Sequence, residues 1–346
     1  MNEYNEINPN VENKITMTEQ EKRSHKKHFS KLFLAFLGYL LISNVLVIVA
    51  SLVLNKYAPA LLQDMNASLI ISSVIQYVFA LLFLLLFVRK IPSEPPKKEK
   101  LGFKKFVKYA LISFFFMYAG NMLSSFVLIA LEEAIGIMPE NSIDQLLTES
   151  NLLLSLVIVG IIGPIVEELM FRKIFVDRLT PYGDAVAILI PSLIFGLFHG
   201  NLYQFFYAFF LGAIFSYIYL KTGKLSYTIV LHCFINIFCG VLPAYLMTMF
   251  NVDELFTALE NMETYQAFFD ANQKALTLYG IYSFVLLFLE TAGILAFCRN
   301  IKYVSIEKGK IRLPKDSGGE IMFFNAGAIL LIGISMILIA INTFTV

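Results

Sequence analysis

Charge is scarce in this 346-residue sequence, and its scarcity narrows the class of protein. Charged residues make up only 15% of the chain, whereas 58% of the residues are hydrophobic and the mean hydropathy is +0.70. A soluble domain carries more charge and fewer apolar residues, so a soluble fold is excluded. The 27 basic and 26 acidic residues nearly balance, so the net charge says little about partners, and we expect no nucleic-acid partner.

Cysteine and histidine are rare as well. Cys233, Cys239 and Cys298 lie in apolar runs without a CxxC pattern, which excludes a disulfide framework and a cysteine zinc site. No His-Glu-x-x-His motif occurs, so the signature of many zinc peptidases is missing. Two of the four histidines, His25 and His28, lie among lysines near the N-terminus. We interpret them as part of a solvated basic face and not as ligands.

The sequence contains long apolar runs. Nine runs reach or approach the ~20 residues that a helix needs to cross a bilayer. Because a helix satisfies its own backbone hydrogen bonds in lipid, the runs predict an all-α, polytopic transmembrane helical bundle. The fifth run is short, so we predict eight or nine spans. The runs are Leu32–Leu54, Ser68–Val88, Val107–Leu131, Leu152–Leu179, Ala185–His199, Tyr203–Leu220, Tyr227–Phe250, Leu276–Cys298 and Ile321–Phe344.

The charges between the runs predict a topology. Basic residues are concentrated in the loops at 89–108, 221–224 and 299–315, whereas the loops at 132–149 and 253–270 are acidic. Basic loops remain in the cytoplasm. We therefore expect a multi-pass cell-membrane protein with a cytoplasmic N-terminus, whose basic loops contact anionic lipid headgroups. Strict alternation of nine spans would place the C-terminus outside.

Two adjacent carboxylates stand out in the fourth run. Glu167 and Glu168 lie in Pro164–Lys173, inside a stretch that is otherwise apolar from 152 to 176. Insertion of a charged side chain near the bilayer centre costs roughly 2.5–3.5 kcal/mol, so the pair of acids indicates a functional site. The alternative is that both acids only pair with cations and serve helix packing. Successive helical residues are about 100° apart, so the two acids cannot share a face. Glu168 can pair with Arg172 at i, i+4, and Glu167 must find a partner on another helix or hold water.

Three more polar residues follow in neighbouring runs. These are His199, His232 and Asn236, and the last two share a helix face at i, i+4. With a helical rise of 1.5 Å per residue, the distance from each residue to the charged loop at one end of its run can be estimated. It is ~16 Å for Glu167, ~12 Å for His232 and ~22 Å for His199. All three fall in the middle of a ~30 Å hydrocarbon core. A lone intramembrane histidine is usually a packing residue, but this set predicts one shared site.

The ordered set resembles the CPBP family of intramembrane proteases, which includes CaaX prenyl endopeptidases and bacterial bacteriocin-processing and self-immunity proteins. The resemblance rests on Glu167-Glu168-x-x-x-Arg172, Phe195-x-x-x-His199 and His232-x-x-x-Asn236. It covers about residues 110–250 and includes the turn before the second histidine. Each motif alone is weak, whereas the ordered set in a polytopic protein is specific.

The resemblance implies a peptidase with its site inside the bundle, and the chemistry of the residues supports the same roles. Glu167 would take a proton from water, and His199 and His232 would orient that water or hold a metal. Asn236 would donate to the oxyanion. Glu168 and Arg172 would position these groups without contacting the substrate themselves. The substrate would be a peptide or protein at the membrane, either lipidated or a leader peptide.

The residues leave the role of a metal open. Glu167, His199 and His232 form a plausible zinc set. If Glu167 were a ligand, however, it could not also be the free base. We favour a glutamate-dependent, metal-free mechanism and keep a divalent metal such as zinc as the alternative cofactor.

The runs and the resemblance together divide the chain into four segments. Residues 1–28 form a cytoplasmic basic segment, 29–105 the first two spans with a basic linker, 106–250 the catalytic core, and 251–346 an extracellular loop with the C-terminal spans.

Two other functions remain as alternatives. A non-catalytic membrane scaffold or immunity protein would retain the fold, and a proton-coupled transporter would also bury acids and histidines. Glu290, in the middle of the eighth run, is interpreted either as a neutral or hydrogen-bonded packing residue or as part of a path to the site.

Overall fold

The computed structural model describes residues 17–136 and 142–344, and most of this part is helical. In these ranges no strand forms beyond an isolated bridge between Gly183 and Lys308. Eight helices in the described part are long and apolar enough to cross a membrane. The prediction of an all-α polytopic bundle is therefore confirmed. Numbered as spans 1 to 8, the helices are Glu19–Tyr57, Met65–Val88, Phe103–Ile135, Leu152–Tyr182, Leu202–Thr222, Leu225–Met247, Met262–Tyr303 and Ala326–Phe344.

The fifth apolar run forms a helix that is shorter than the spans. This short helix, Asp184–Phe198, has 15 residues and rises about 22 Å, less than the ~30 Å hydrocarbon core. It runs antiparallel to span 5, because the Asp184 carboxylate contacts Lys221 Nζ at 2.8 Å at one end. At the other end, the turn at 199–201 joins the two helices. The count by length is therefore eight, with a ninth apolar helix packed among the spans.

The loops that were predicted to share one side of the membrane meet at one end of the bundle, which we call the basic end. The backbone N–H of Glu94, in the 89–108 loop, donates to the carbonyl of Asp177 at 2.7 Å. The Glu94 carboxylate contacts Lys310 Nζ at 2.6 Å, and Lys221 Nζ contacts Glu307 at 2.8 Å. The shared side is confirmed by these contacts, while its assignment to the cytoplasm stays a prediction.

Span 1 begins before the predicted apolar run. Thr18 and Glu21 form a reciprocal capping box at its start, so part of the predicted polar segment 1–28 is helical, while residues 1–16 lie outside the described ranges. His25 Nδ1 lies 3.0 Å from the Tyr182 hydroxyl, and half-buried His28 lies 2.9 Å from a backbone carbonyl of span 4. The interpretation of these histidines as a solvated face is wrong: their rings join the start of span 1 to the end of span 4.

Close contacts hold the spans together. Between spans 1 and 4, the ring of Phe36 lies 5.6 Å from Phe171 and 4.5 Å from Phe175 between centroids. Between spans 3 and 7, Gly293 lies so near the Leu111 carbonyl that a Cβ would overlap it. Packing of small residues drives helix association where lipid surrounds the helices. Spans outside the motif-bearing segment are therefore packed directly against those that carry the motifs.

Candidate active site

A cavity of about 510 Å³ lies between spans 1, 2, 4, 5, 6 and 8 and the short helix. Four of the six predicted site residues line it: Glu167, His199, His232 and Asn236. The structure thus brings these four residues together around one cavity, while their catalytic roles stay a prediction. The other polar side chains along the wall are Tyr39, Ser43, Asn44, Ser72, Ser73, Gln76, Tyr77, Gln204, Tyr207 and Asn342.

The two glutamates lie on a helical turn with irregular surroundings. Gly163–Glu168 is α-helical, whereas Ile158–Ile162 before it and Leu169–Val176 after it form wider π-helical turns. A third π-helical segment begins at Asn236. Such segments are frequent at functional sites because they redirect side chains without ending the helix. The uniform 100° step assumed from the sequence is therefore only approximate here.

Glu168 and Arg172 form the predicted ion pair. Both side chains are completely buried, and Arg172 Nε lies 3.1 Å from Glu168 Oε2. Arg172 Nη2 also donates to Glu168 Oε1 at 3.2 Å. The rings of Phe195 and Phe215 lie 5.0 and 5.6 Å from the guanidinium carbon, so their π-faces stabilise the cation where water is excluded. Neither Glu168 nor Arg172 reaches the cavity wall.

A contact that the sequence did not predict links this pair to the cavity. His232 Nδ1 lies 3.0 Å from Glu168 Oε1. Because the carboxylate is paired with Arg172 and accepts hydrogen bonds, His232 Nδ1 carries the proton in this contact. Glu168 is therefore shared between Arg172 and His232. Nothing in the spacing of the three motifs indicated that the second glutamate would bind the second histidine.

Glu167 has the opposite environment. Its side chain is 28% exposed, and its Oε2 lies 3.6 Å from His232 Nε2. This distance is longer than a hydrogen bond but within the range of an ion pair. The partner on another helix that the sequence required for Glu167 is thus His232. The arrangement couples the open carboxylate, through one imidazole, to the buried Glu168–Arg172 pair.

His199 is oriented by its own helix. Its Nδ1 donates to the Phe195 carbonyl at 2.8 Å, since a carbonyl can only accept. In the neutral ring Nε2 then carries the lone pair. Both cavity histidines thus use Nδ1 for a fixed backbone or carboxylate acceptor, and each retains Nε2 for a substrate, water or ion.

Asn236 is positioned by a backbone carbonyl. Its Nδ2 donates one hydrogen to the carbonyl of Val159 at 3.0 Å, in the π-helical segment before the glutamates. The amide NH₂ has two hydrogens, so one remains for a substrate carbonyl. This geometry is compatible with the predicted oxyanion role.

Spans 1, 2 and 8 also contribute to the cavity, which the motifs did not predict. Tyr39 and Tyr77 line the cavity from spans 1 and 2. Asn342 of span 8 lines it too, and its Nδ2 donates to the carbonyl of Gly200 at 2.8 Å. Polar residues inside otherwise apolar runs were the available signal. The four-segment division of the chain stays a prediction, but segments on both sides of 106–250 help to build the cavity.

The donor set partly fits a metal ion. Two histidines whose Nδ1 atoms are engaged and whose Nε2 atoms remain for coordination resemble metal-bound histidines with outer-shell partners. Within 17–136 and 142–344, however, no three His, Cys, Asp or Glu side chains are close enough together to hold an ion. Glu167, His199 and His232 would need to move closer together to hold an ion.

Comparisons with known proteins agree with this geometry. Residues 149–238 match a family model described as "Type II CAAX prenyl endopeptidase Rce1-like". That range contains all six predicted site residues. No solved structure matches the chain.

Three curated relatives cover about half of the chain or less. The "Putative membrane peptidase YdiL" of Bacillus subtilis is 28% identical over 175 residues, which is 49% of this chain and 70% of the relative. The "Membrane-embedded CAAX protease MroQ" of Staphylococcus aureus is 27% identical over 185 residues, or 50% and 73% of the two chains. The "UPF0177 protein YxdF" of Lactococcus lactis is 27% identical over 139 residues, or 40% and 77%.

The helical bundle, its internal polar cavity and these matches define a class, the multi-pass membrane proteases. Within that class, residues 149–238 are similar to the CaaX proteases of the CPBP family, and the resemblance first noted in the motifs is confirmed.

Proposed function

We propose that the chain is an intramembrane endopeptidase that hydrolyses a peptide bond of a membrane-associated substrate with water activated by Glu167. The observation that carries the proposal is the contrast between two adjacent carboxylates. Glu168 is fully buried and paired, whereas Glu167 is partly exposed in a polar cavity beside a histidine that Glu168 holds. A carboxylate with a free face in a cavity is suited to act as a general base.

The proposed reaction assigns one role to each group that lines the cavity. Water bound between Glu167 and His199 Nε2 attacks the scissile carbonyl carbon, and Glu167 takes one of the water protons. Asn236 donates its remaining amide hydrogen to the developing oxyanion, which lowers the barrier to attack. The C–N bond then breaks, and Glu167, assisted by His232, returns the proton to the leaving amine. The products are a new carboxylate and a new amine.

Arg172 and Glu168 act in this proposal as positioning residues. Arg172 holds Glu168, and Glu168 accepts from His232 Nδ1, so that His232 Nε2 faces Glu167. If a divalent metal takes part, Glu167 and the Nε2 atoms of the two histidines would hold it, and it would polarise the attacking water. Dialysis of the reconstituted protein against a chelator tests this alternative. Full retention of cleavage supports the metal-free mechanism, and loss that zinc restores contradicts it.

The substrate is proposed to be a peptide or protein that reaches the bundle from the membrane. Whether it is prenylated or carries a leader sequence is decided by experiment. Membranes and medium from cells with wild type or Glu167→Gln, matched for expression, are compared by peptidomics. Glu133→Gln, a change at an exposed glutamate of span 3, is the matched control.

A peptide terminus present with wild type and with Glu133→Gln, but absent with Glu167→Gln, supports the proposal and identifies the substrate class. Identical profiles for all three forms contradict it. In that case, a retained phenotype with Glu167→Gln would point to a membrane scaffold or immunity protein.

The same proposal includes an orientation. We propose that the basic end faces the cytoplasm, because Lys and Arg favour that side and contact anionic headgroups there. A cysteine introduced at Lys310 should react with an impermeant thiol reagent only after cells are opened. Reaction in intact cells would indicate the opposite orientation, with the basic end outside.

A further inference from the structure

A second cavity, of about 320 Å³, adjoins the site cavity. Four residues line both: Val159, Gln204, Tyr207 and Asn236. The proposed oxyanion donor thus stands at the junction of the two spaces. A peptide whose scissile carbonyl reaches Asn236 would extend toward the second cavity on one side of the bond. One residue of extended chain advances only ~3.3–3.6 Å. A substrate side chain that enters the second cavity would therefore belong to a residue close in sequence to the scissile bond.

Glu290 of span 7 lines this second cavity. Only 8% of its surface is exposed, and within the described ranges it has no hydrogen-bond or ion-pair partner. The cavity is about ten times the ~30 Å³ that one water occupies and reaches the lower end of the usual range for ligand sites. The carboxyl group therefore faces a space large enough for a side chain.

The other buried acidic residues in the described part of the bundle have ion-pair partners. Glu168 is paired with Arg172, and Asp177 is paired with Lys173 at 2.7 Å. Leaving a buried polar group unpaired is costly, and more so if it is charged. Among the described residues, Glu290 is thus the buried acid without a partner, and the missing partner is a donor, preferably a cation.

We propose that the second cavity is a specificity subsite in which Glu290 binds a basic side chain, lysine or arginine, of the peptide substrate. The bound residue lies within two positions of the scissile bond. Its aliphatic stem contacts the apolar part of the wall, formed by residues such as Met117, Val159 and Leu286, and its charged end reaches Glu290. This inference rests on the proposed peptidase function and adds a substrate preference to it.

The cleavage preference of the full chain in liposomes tests the subsite. The probe is a proteome-derived peptide mixture with internal lysine and arginine residues. Among bonds cleaved by wild type, we expect about tenfold enrichment of lysine or arginine at one position within two residues of the bond. Glu290→Gln should remove the enrichment, and Glu290→Lys should replace it with enrichment of aspartate and glutamate. The matched control Glu133→Gln should keep the wild-type preference.

The outcomes separate the two proposals. Cleavage by wild type without basic enrichment, or with the same enrichment in Glu290→Gln, overturns the subsite and leaves the peptidase intact. Wild type that cleaves no more than Glu167→Gln contradicts the peptidase, and the subsite is then judged by a second measurement that needs no cleavage.

That measurement uses Cys239, a free cysteine of the same cavity wall. In a Cys233→Ser/Cys298→Ser background, Cys239 is treated with cationic 2-aminoethyl methanethiosulfonate or neutral methyl methanethiosulfonate, and modification is followed by mass spectrometry. The ratio of the cationic to the neutral rate should be about tenfold higher with Glu290 than with Glu290→Gln. An unchanged ratio would overturn the cation subsite.

Discussion

Glu167 and Glu168 are neighbours in sequence, yet the fold gives them opposite environments. Glu168 is fully buried against Arg172 and His232, whereas Glu167 is partly exposed at the cavity. A carboxylate enclosed in this way does not meet a substrate in the cavity, and only Glu167 lines the cavity wall. The comparison teaches that packing can give two neighbouring acids of one helix very different access to the cavity.

The largest effect should come from Glu167→Gln. The change keeps the shape of the side chain but removes the proton acceptor, so hydrolysis should fall by about 10³-fold, within the range of general-base contributions. Turnover of the peptide found by peptidomics measures this. The thermal unfolding midpoint should stay near that of wild type, because Glu167 makes no close ion pair. Retained turnover would contradict the division of roles.

Loss of one partner of the buried pair should affect stability instead. Arg172→Met leaves Glu168 buried without its cation, and breaking a buried pair in this way costs about 3–5 kcal/mol. Thermal unfolding in detergent should show a clearly lower midpoint. Glu168→Gln/Arg172→Met should recover part of the loss, because neither charge then remains buried alone. Glu94→Gln, which removes an exposed ion pair with Lys310, is the control and should change the midpoint little.

Asn236→Ala should give an intermediate loss of activity. Removal of one oxyanion donor lowers turnover by about 10²–10³-fold in acyl transfer, and the Michaelis constant should change less. The lost hydrogen bond to Val159 should reduce stability by about 1 kcal/mol. A purely structural Asn236 would instead lower stability while the turnover of the folded fraction stayed normal.

The smallest effect is expected from span 8. Asn342→Ala removes one hydrogen bond to the carbonyl of Gly200, worth about 1 kcal/mol. Because that turn follows His199, turnover should fall several-fold. Met336→Ala, on an exposed face of the same span, is the control. Equal turnover in both variants would show that span 8 does not position the histidine.

The sequence correctly predicted the features that depend on interactions within one helix or between one helix and the bilayer. The apolar runs predicted the helices because a bilayer admits few other structures, and i, i+4 spacing predicted the Glu168–Arg172 pair. The depth estimate placed Glu167, His199 and His232 at similar levels, and in the structure all three line one cavity. Prediction from the sequence failed for His25 and His28, whose basic neighbours suggested a solvated face, because contacts with span 4 depend on how distant segments pack.

The sequence by itself determined the class of fold, the ordered motifs and the i, i+4 pair, since each depends on periodicity or spacing within one helix. Only the tertiary structure decided that His232 lies between the two glutamates, that spans 1, 2 and 8 close the cavity, and that Glu290 faces a second space beside Asn236. These features depend on the packing of helices far apart in the chain. Inside a bilayer that packing is set by close contacts between helix surfaces, which spacing along the sequence does not encode.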